Sequence, residues 1–563
     1  MREKRKFDFK LCIAVVIHIV LTFLWERTVF RNVGVNPSGT LAIRNFISDK
    51  GEQTLTYVLT HLFAALMIFF MWKLLFFIFS NFKKDYIVFI VLFAVGSLAL
   101  FVFWPEVLTG MAGFDDNLVT YSCGIRLTPD YWHGVYSSII YAAMLLVCPF
   151  NFFITLYQWG LFLFVLAYIF FRIKASGKGS GYLTFLILLL PAASYIASNG
   201  HRMYQFTILV ILYTAVIVMD IYEQRERSAF EIFKIALLGA FISVFRSEGI
   251  IIGVLLFGIY LLFGVKRKAL AVVCRILVFA ILFVALYLPG KVGEKKYYGK
   301  DYSMINTFDV LRNILNDESS NLSYKGADGD IAALEAVAPL NVIKSGGTDA
   351  YRRYNYNVRG NKDINQSGVD TKTGDDFMKA YRNIVLHNPG IYAKTQFNSA
   401  MVALGVGKVF EMAEYKGESL GLSDWYYCGW DSGIEDFYRS IFTDNWHRNE
   451  TRKEITAAVF DIRDRYYSFM KNRKFYIAGI ALMIVMAAAL FVRGLVAFFK
   501  KKDNIKLSIG LISLAGLVSF FAVSVVMPTS ATIYFIGSIY ALLTVLYVFF
   551  CYERKDFFKK SKK

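Results

Sequence analysis

Two adjacent carboxylates, Asp115 and Asp116 in the run GFDDN at 113–117, lie a few residues past an apolar stretch long enough to cross a bilayer. Carboxylates beside a membrane are candidates for proton abstraction, or for holding a cation, next to something the bilayer delivers. A plainer role is equally open, because aspartates before an apolar turn commonly cap a helix, here one beginning near Asn117. If both carboxylates are buried, they raise each other's pKa and suit a base; a solvated pair gains no such benefit. The same connector, residues 105–133, also carries Asp130, Trp132 and His133.

Two further groups offer charge. FRSEGIII (245–252) sets Arg246 and Glu248 between two apolar runs, either as a tight turn closed by an ion pair or as a guanidinium held for a phosphate. SNGHRMYQF (198–206) places His201 and Arg202 in a short connector, where they either meet lipid headgroups or offset a departing negative charge. His18 and His61 lie inside apolar runs and read as hydrogen-bonding residues buried in the bundle. The aromatic-rich stretch 424–450 reads first as domain core, with sugar-stacking rings as the functional alternative.

The elements that must position these groups are membrane spans. The chain has 563 residues, 56% of them hydrophobic and 17% aromatic, with only 19% charged, which is the composition of a multi-span membrane protein. Its net charge of +19 comes from lysines and arginines concentrated between apolar runs, so membrane orientation accounts for it and no nucleic-acid partner is needed. Cys12, Cys123, Cys148, Cys274, Cys428 and Cys551 form no C-x-x-C or Cys/His pattern, which argues against a zinc site or a redox pair; a Cys123–Cys428 bridge is conceivable if both are external.

Apolar runs near 11–25, 57–79, 86–104, 152–173, 181–198, 203–221, 230–246, 248–264, 269–289, 475–498, 507–527 and 531–551 predict about twelve spans. The basic segments MREKRK, NFKKD, RIKASGK, EQRER, VKRK, FKKKDNIK and the tail ERKDFFKKSKK all fall on one side if residues 131–150 form a re-entrant or interfacial helix. Both termini are then cytoplasmic, and residues 26–56, 105–151, 199–202 and 290–473 are outside.

The expected organisation is an N-terminal transmembrane module (1–289), an extracytoplasmic domain (290–473), a three-helix transmembrane module (474–552) and a basic tail (553–563). Within the domain, helices are expected at 331–343, 375–386 and 451–472, with polar loops at 317–330 and 344–370. The fold class is an all-α polytopic membrane protein with a mainly helical extracytoplasmic domain.

An acidic outer loop, then YWHG and a re-entrant apolar segment, then LYQWG (156–160) opening a span: in this order the chain resembles the GT-C superfamily of polytopic glycosyltransferases, in the bacterial branch that uses polyprenyl-phosphate sugars. The resemblance covers roughly residues 86–290 by motif order, and the remainder by layout alone.

The resemblance implies transfer of a sugar from a polyprenyl-phosphate donor to an extracytoplasmic glycan, lipid or protein acceptor. Asp115 or Asp116 would be the base, and Arg246, Arg202 and His201 would contact the donor phosphate. Trp132, His133 and Glu248 would be substrate contacts, and a divalent cation is a candidate cofactor. Many GT-C chains carry a second acidic residue where this one has His201 and Arg202, a departure that bears on any metal.

Two rivals remain. A surface-polysaccharide polymerase or ligase shares the layout but typically depends on loop arginine and histidine rather than on an early aspartate. A lipid-linked glycan flippase or transporter would carry charged residues near mid-bilayer and need no sizeable outer domain, whereas the apolar runs here are nearly free of acid, with Lys73, Lys234 and Arg275 as isolated basic interruptions.

Overall fold

The computed structural model describes residues 9–30, 50–80, 123–124, 126–131, 134–149, 152–177, 202–246, 248–263, 269–297, 307–344, 372–403, 473–526 and 535–560, together with residues 87, 91, 94, 120 and 184. Every regular element among them is a helix, as the apolar periodicity requires in a bilayer, where backbone groups must be satisfied within each segment. Eight of these helices are long and apolar enough to cross a membrane, so the chain is an all-α, multi-pass membrane protein. The expected spans at 86–104 and 181–198 fall outside the described residues, apart from isolated positions, as does the helix expected at 451–472.

The chain divides into two compact units. The first includes α1 (Phe9–Val29), α2 (Lys50–Ser80), α3 (Val135–Val147), α4 (Phe152–Ala175) and the start of α5 (Arg202–Glu223). Helix α3 packs against α1, α2 and α4, and all thirteen of its residues are buried. At about 20 Å it is shorter than the hydrocarbon layer.

Its last carbonyls, which have no partner within the helix, are taken up by α1: Trp25 Nε1 donates to Leu146 O (2.8 Å), and His18 Nε2 donates to Val147 O (2.8 Å). Trp72 of α2 donates to His18 Nδ1 (3.1 Å), which fixes the imidazole as the neutral Nε2–H tautomer. His18 is thus a hydrogen-bonding residue of the bundle, as its apolar surroundings suggest.

The second unit holds the end of α5, α6 (Ala229–Phe245), α7 (Gly249–Phe263) and α8 (Ala269–Tyr297), a helical domain, and α14 (Arg473–Lys501), α15 (Asn504–Val526) and the start of α16 (Ile536–Lys560). Helix α6 has the 17 residues of the span expected at 230–246, and α7, at 15 residues, is two shorter than the run at 248–264. They pair closely because small residues meet: a Cβ on Gly253 would lie 2.0 Å from Ser243 Oγ and 2.4 Å from Gly239 O. Gly494 and Gly510 do the same for α14 and α15. Along α8, Leu270, Val273, Ile276, Leu277, Ile281, Val284 and Leu288 are exposed, a surface that lipid tails satisfy and water would not.

The domain comprises α9 (Phe308–Asn316), α10 (Ala327–Glu335), α11 (Leu340–Lys344), α12 (Lys372–His387) and α13 (Pro389–Ala403). Phe308, Leu311, Ile314, Leu334, Ile343, Phe377 and Ile384 form its core. The single helix expected over 331–343 is two, broken ahead of Leu340 where Pro339 removes a donor and restricts the residue before it. Helices α9 and α13 were not among the expected elements. Asn388 pins the α12–α13 corner, accepting from Asn321 N (2.6 Å) and donating to Asn321 O and Ile384 O.

Candidate functional site

Of the residues singled out for chemistry, Arg246 and Glu248 form the best-defined pair. Arg246 caps the C-terminus of α6, and Glu248 directly precedes α7. A turn bond from Gly249 N to Arg246 O (2.9 Å) brings the two helix ends together. Arg246 Nε donates to Glu248 Oε1 at 2.6 Å, with the side chains only 5% and 6% exposed. Each charge also faces the helix end that favours it, the cation at a C-terminus and the carboxylate at an N-terminus. Removing one partner of such a buried pair leaves the other uncompensated, at a cost of about 3–5 kcal/mol.

Asp130 is the carboxylate of the 105–133 connector that the structure describes, and it is fully buried. Thr120 Oγ1 donates to its Oδ2 (2.8 Å), and its backbone N–H donates to Ser138 Oγ on the first turn of α3 (3.1 Å). The loop reaches α3 through a tight turn in which Leu127 takes a positive φ of 56° and Thr128 N donates to Cys123 O (2.9 Å). A Cβ on Gly124 would lie 2.6 Å from Ser138 O, so only glycine permits this docking. Cys123 is buried, and that burial, reinforced by Asp130, pushes its thiol pKa well above the ordinary value; Cys428, the other half of the suggested bridge, lies outside the described residues. Asp130 therefore anchors the connector to α3.

Arg202 opens α5 and is partly buried. Asp115, Asp116, Trp132, His133 and His201 lie outside the described residues. Among the described residues no group of three or more His, Cys, Asp or Glu side chains is placed to hold a metal ion.

Two polar clusters went unrecognised as such in the sequence. Asp220, fully buried within the 203–221 run, receives a fork from Arg227: Nε to Oδ2 at 2.5 Å and Nη2 to Oδ1 at 2.9 Å. Arg227 Nη1 reaches Glu231 (3.2 Å), and Tyr260 of α7 donates to Asp220 (3.4 Å). Glu231 also closes a capping box with Ser228 at the start of α6. The apolar runs are thus less free of acid than they read, and the signal was an aspartate inside a span with an arginine seven residues on.

The second cluster joins α1 to α2. His61 Nδ1 donates to Tyr57 O (3.0 Å), which turns Nε2 toward Glu26 Oε2 (3.2 Å), and Tyr57 Oη donates to the same oxygen (3.1 Å). Phe23 stacks on the imidazole at 5.3 Å.

Set against known proteins, the chain matches no family model, no curated protein and no solved structure. Similarity therefore assigns no family, and the functional reading rests on residues and geometry.

Proposed function

We propose that this protein is a membrane glycosyltransferase of GT-C type that moves a sugar from a polyprenyl-phosphate donor to an extracytoplasmic acceptor: a glycan, lipid or protein. One observation carries the reading: the Arg246–Glu248 pair, buried where two apolar helices meet. A structural turn has no need of it, because an apolar turn of similar shape is as stable or more so. Ionisable groups kept in a membrane bundle mark a substrate path by default. On the topology drawn from the basic connectors this turn faces outward, as do the loop of Asp115 and Asp116 and the helical domain.

In this mechanism Asp115 or Asp116 takes the proton from the acceptor hydroxyl as its oxygen attacks the anomeric carbon. The bond to the lipid phosphate breaks, and the leaving phosphate keeps the electron pair. Arg246 offsets that charge, held in place by Glu248. Arg202 and His201 are assigned to the same phosphate, and Trp132 and His133 to the sugar or acceptor. A divalent cation, if used, would supply further charge stabilisation there.

The surface-polysaccharide polymerase or ligase reading keeps a foothold in Arg202 and Arg246, since both are arginines at helix ends. Kinetics of Arg246→Met in proteoliposomes bear on the assignment. The glycosyltransferase reading expects transfer from a polyprenyl-phosphate sugar to fall about 100-fold or more, which is the scale of removing one preorganised charge-stabilising group. Unchanged transfer would remove Arg246 from the site.

A further inference from the structure

We infer that Gln205, in the first turn of α5, is a binding residue for a sugar hydroxyl of a lipid-linked glycosyl phosphate whose phosphate sits at the start of the same helix. The inference rests on the donor reading above and adds a residue that the reading did not use. Gln205 is 4% exposed, yet neither its Nε2 nor its Oε1 has a hydrogen-bond partner. A buried amide left this way is expensive, and buried polar groups in folded proteins are otherwise nearly always paired. Thr207, two residues on, does not share the defect: it bonds back to Met203 O at 2.8 Å.

Position narrows what would pair with it. Side chains on a helix lean toward its N-terminus, which carries the Gln205 amide over the first turn, and Arg202 lies three residues earlier on the same face. The start of a 22-residue helix is a favourable place for an anion, and a guanidinium beside it favours the oxygens of a phosphate ester. The amide itself offers one donor and one acceptor side by side. A hydroxyl both donates and accepts and so matches it, whereas a bare phosphate only accepts. A phosphate at the helix end with a sugar hydroxyl on the amide is the ligand that satisfies both features.

The test uses the full chain in nanodiscs with two probes, undecaprenyl phosphate and undecaprenyl-phosphate glucose, on wild type, Gln205→Met, Gln205→Leu and Arg202→Met. Both Gln205 variants remove the unpaired amide at similar volume, so they should unfold at the wild-type temperature or above it. They should bind the glycosyl ester at least tenfold more weakly and bind the bare phosphate as wild type does. Arg202→Met should weaken both probes. Wild-type affinity of the Gln205 variants for the glycosyl ester would overturn the inference and leave the amide holding water at most. Equal loss of both probes together with a lower unfolding temperature would overturn it too, as a packing role. If wild type binds neither probe, the donor reading itself falls, and this inference with it.

Discussion

Arg246 and Glu248 meet at 2.6 Å through one guanidinium nitrogen and one carboxylate oxygen, and the pair is buried more deeply than any exposed salt bridge. Depth decides what such a contact is worth, because solvent-screened pairs contribute little. Asp503 shows the intermediate case at the α14–α15 corner, where it caps α15 by accepting from Lys506 N (3.1 Å) and faces Lys506 Nζ (2.8 Å), with its side chain 25% exposed. Although partial burial opposes it, these Lys506 contacts and a backbone bond from Ile505 hold its pKa below the ordinary aspartate value. A carboxylate with a depressed folded pKa stabilises fully above its unfolded pKa, near 4, and loses that contribution as pH falls through the folded value. Asp503→Asn keeps a capping side chain but removes the titration. Its unfolding temperature should therefore fall less steeply than that of wild type as pH drops below about 4; parallel curves would contradict this account of the corner.

The α6–α7 hairpin is what holds the ion pair in place. Gly239 and Ser243 on α6 and Gly253 on α7 let the backbones close, and the turn four residues before Gly253 then has one geometry. Gly253→Val would drive side-chain atoms into Ser243 Oγ and Gly239 O. Overpacking of this kind costs about 1–3 kcal/mol and would shift the turn. The expected result is a lower unfolding temperature together with weaker donor binding; a wild-type profile for both would show that the close approach matters little. Both helices were legible as apolar runs, nearly to their ends, and the FRSEG turn between them was read in place. In the domain, α12 was read almost to its ends from its helical periodicity. Helix α9 was missed although Phe308, Leu311 and Ile314 recur at helical spacing, because its nine residues sit among polar segments. The start of α13 was written in Asn388-Pro389, a capping residue followed by a proline at the first helical position.

Among the described residues, eight span-length helices, shorter apolar helices such as α3 and α7, and a helical domain with its own core make a multi-pass membrane protein. The basic connectors predict that the helical domain faces outward. Lys325, exposed on the domain, provides a check: a Lys325→Cys chain in right-side-out cells should react with a membrane-impermeant maleimide without permeabilisation, and labelling only after lysis would invert the topology. Membrane class was readable from composition. The bond from His18 to the end of α3 was not, because hydrogen bonds between residues distant in sequence leave no periodic signal; Arg227 on Asp220 did leave one, an arginine seven residues after an aspartate inside a span. The central claim is that the paired aspartates act on a lipid-borne sugar. Transfer of radiolabelled sugar from a polyprenyl-phosphate donor, by purified protein supplied with extracted envelope acceptors, tests it most directly. Wild type should transfer, and the Asp115→Ala/Asp116→Ala double variant, folded to the same unfolding temperature, should lose transfer by 100-fold or more, on the scale of removing a general base; undiminished transfer by the double variant would contradict the account.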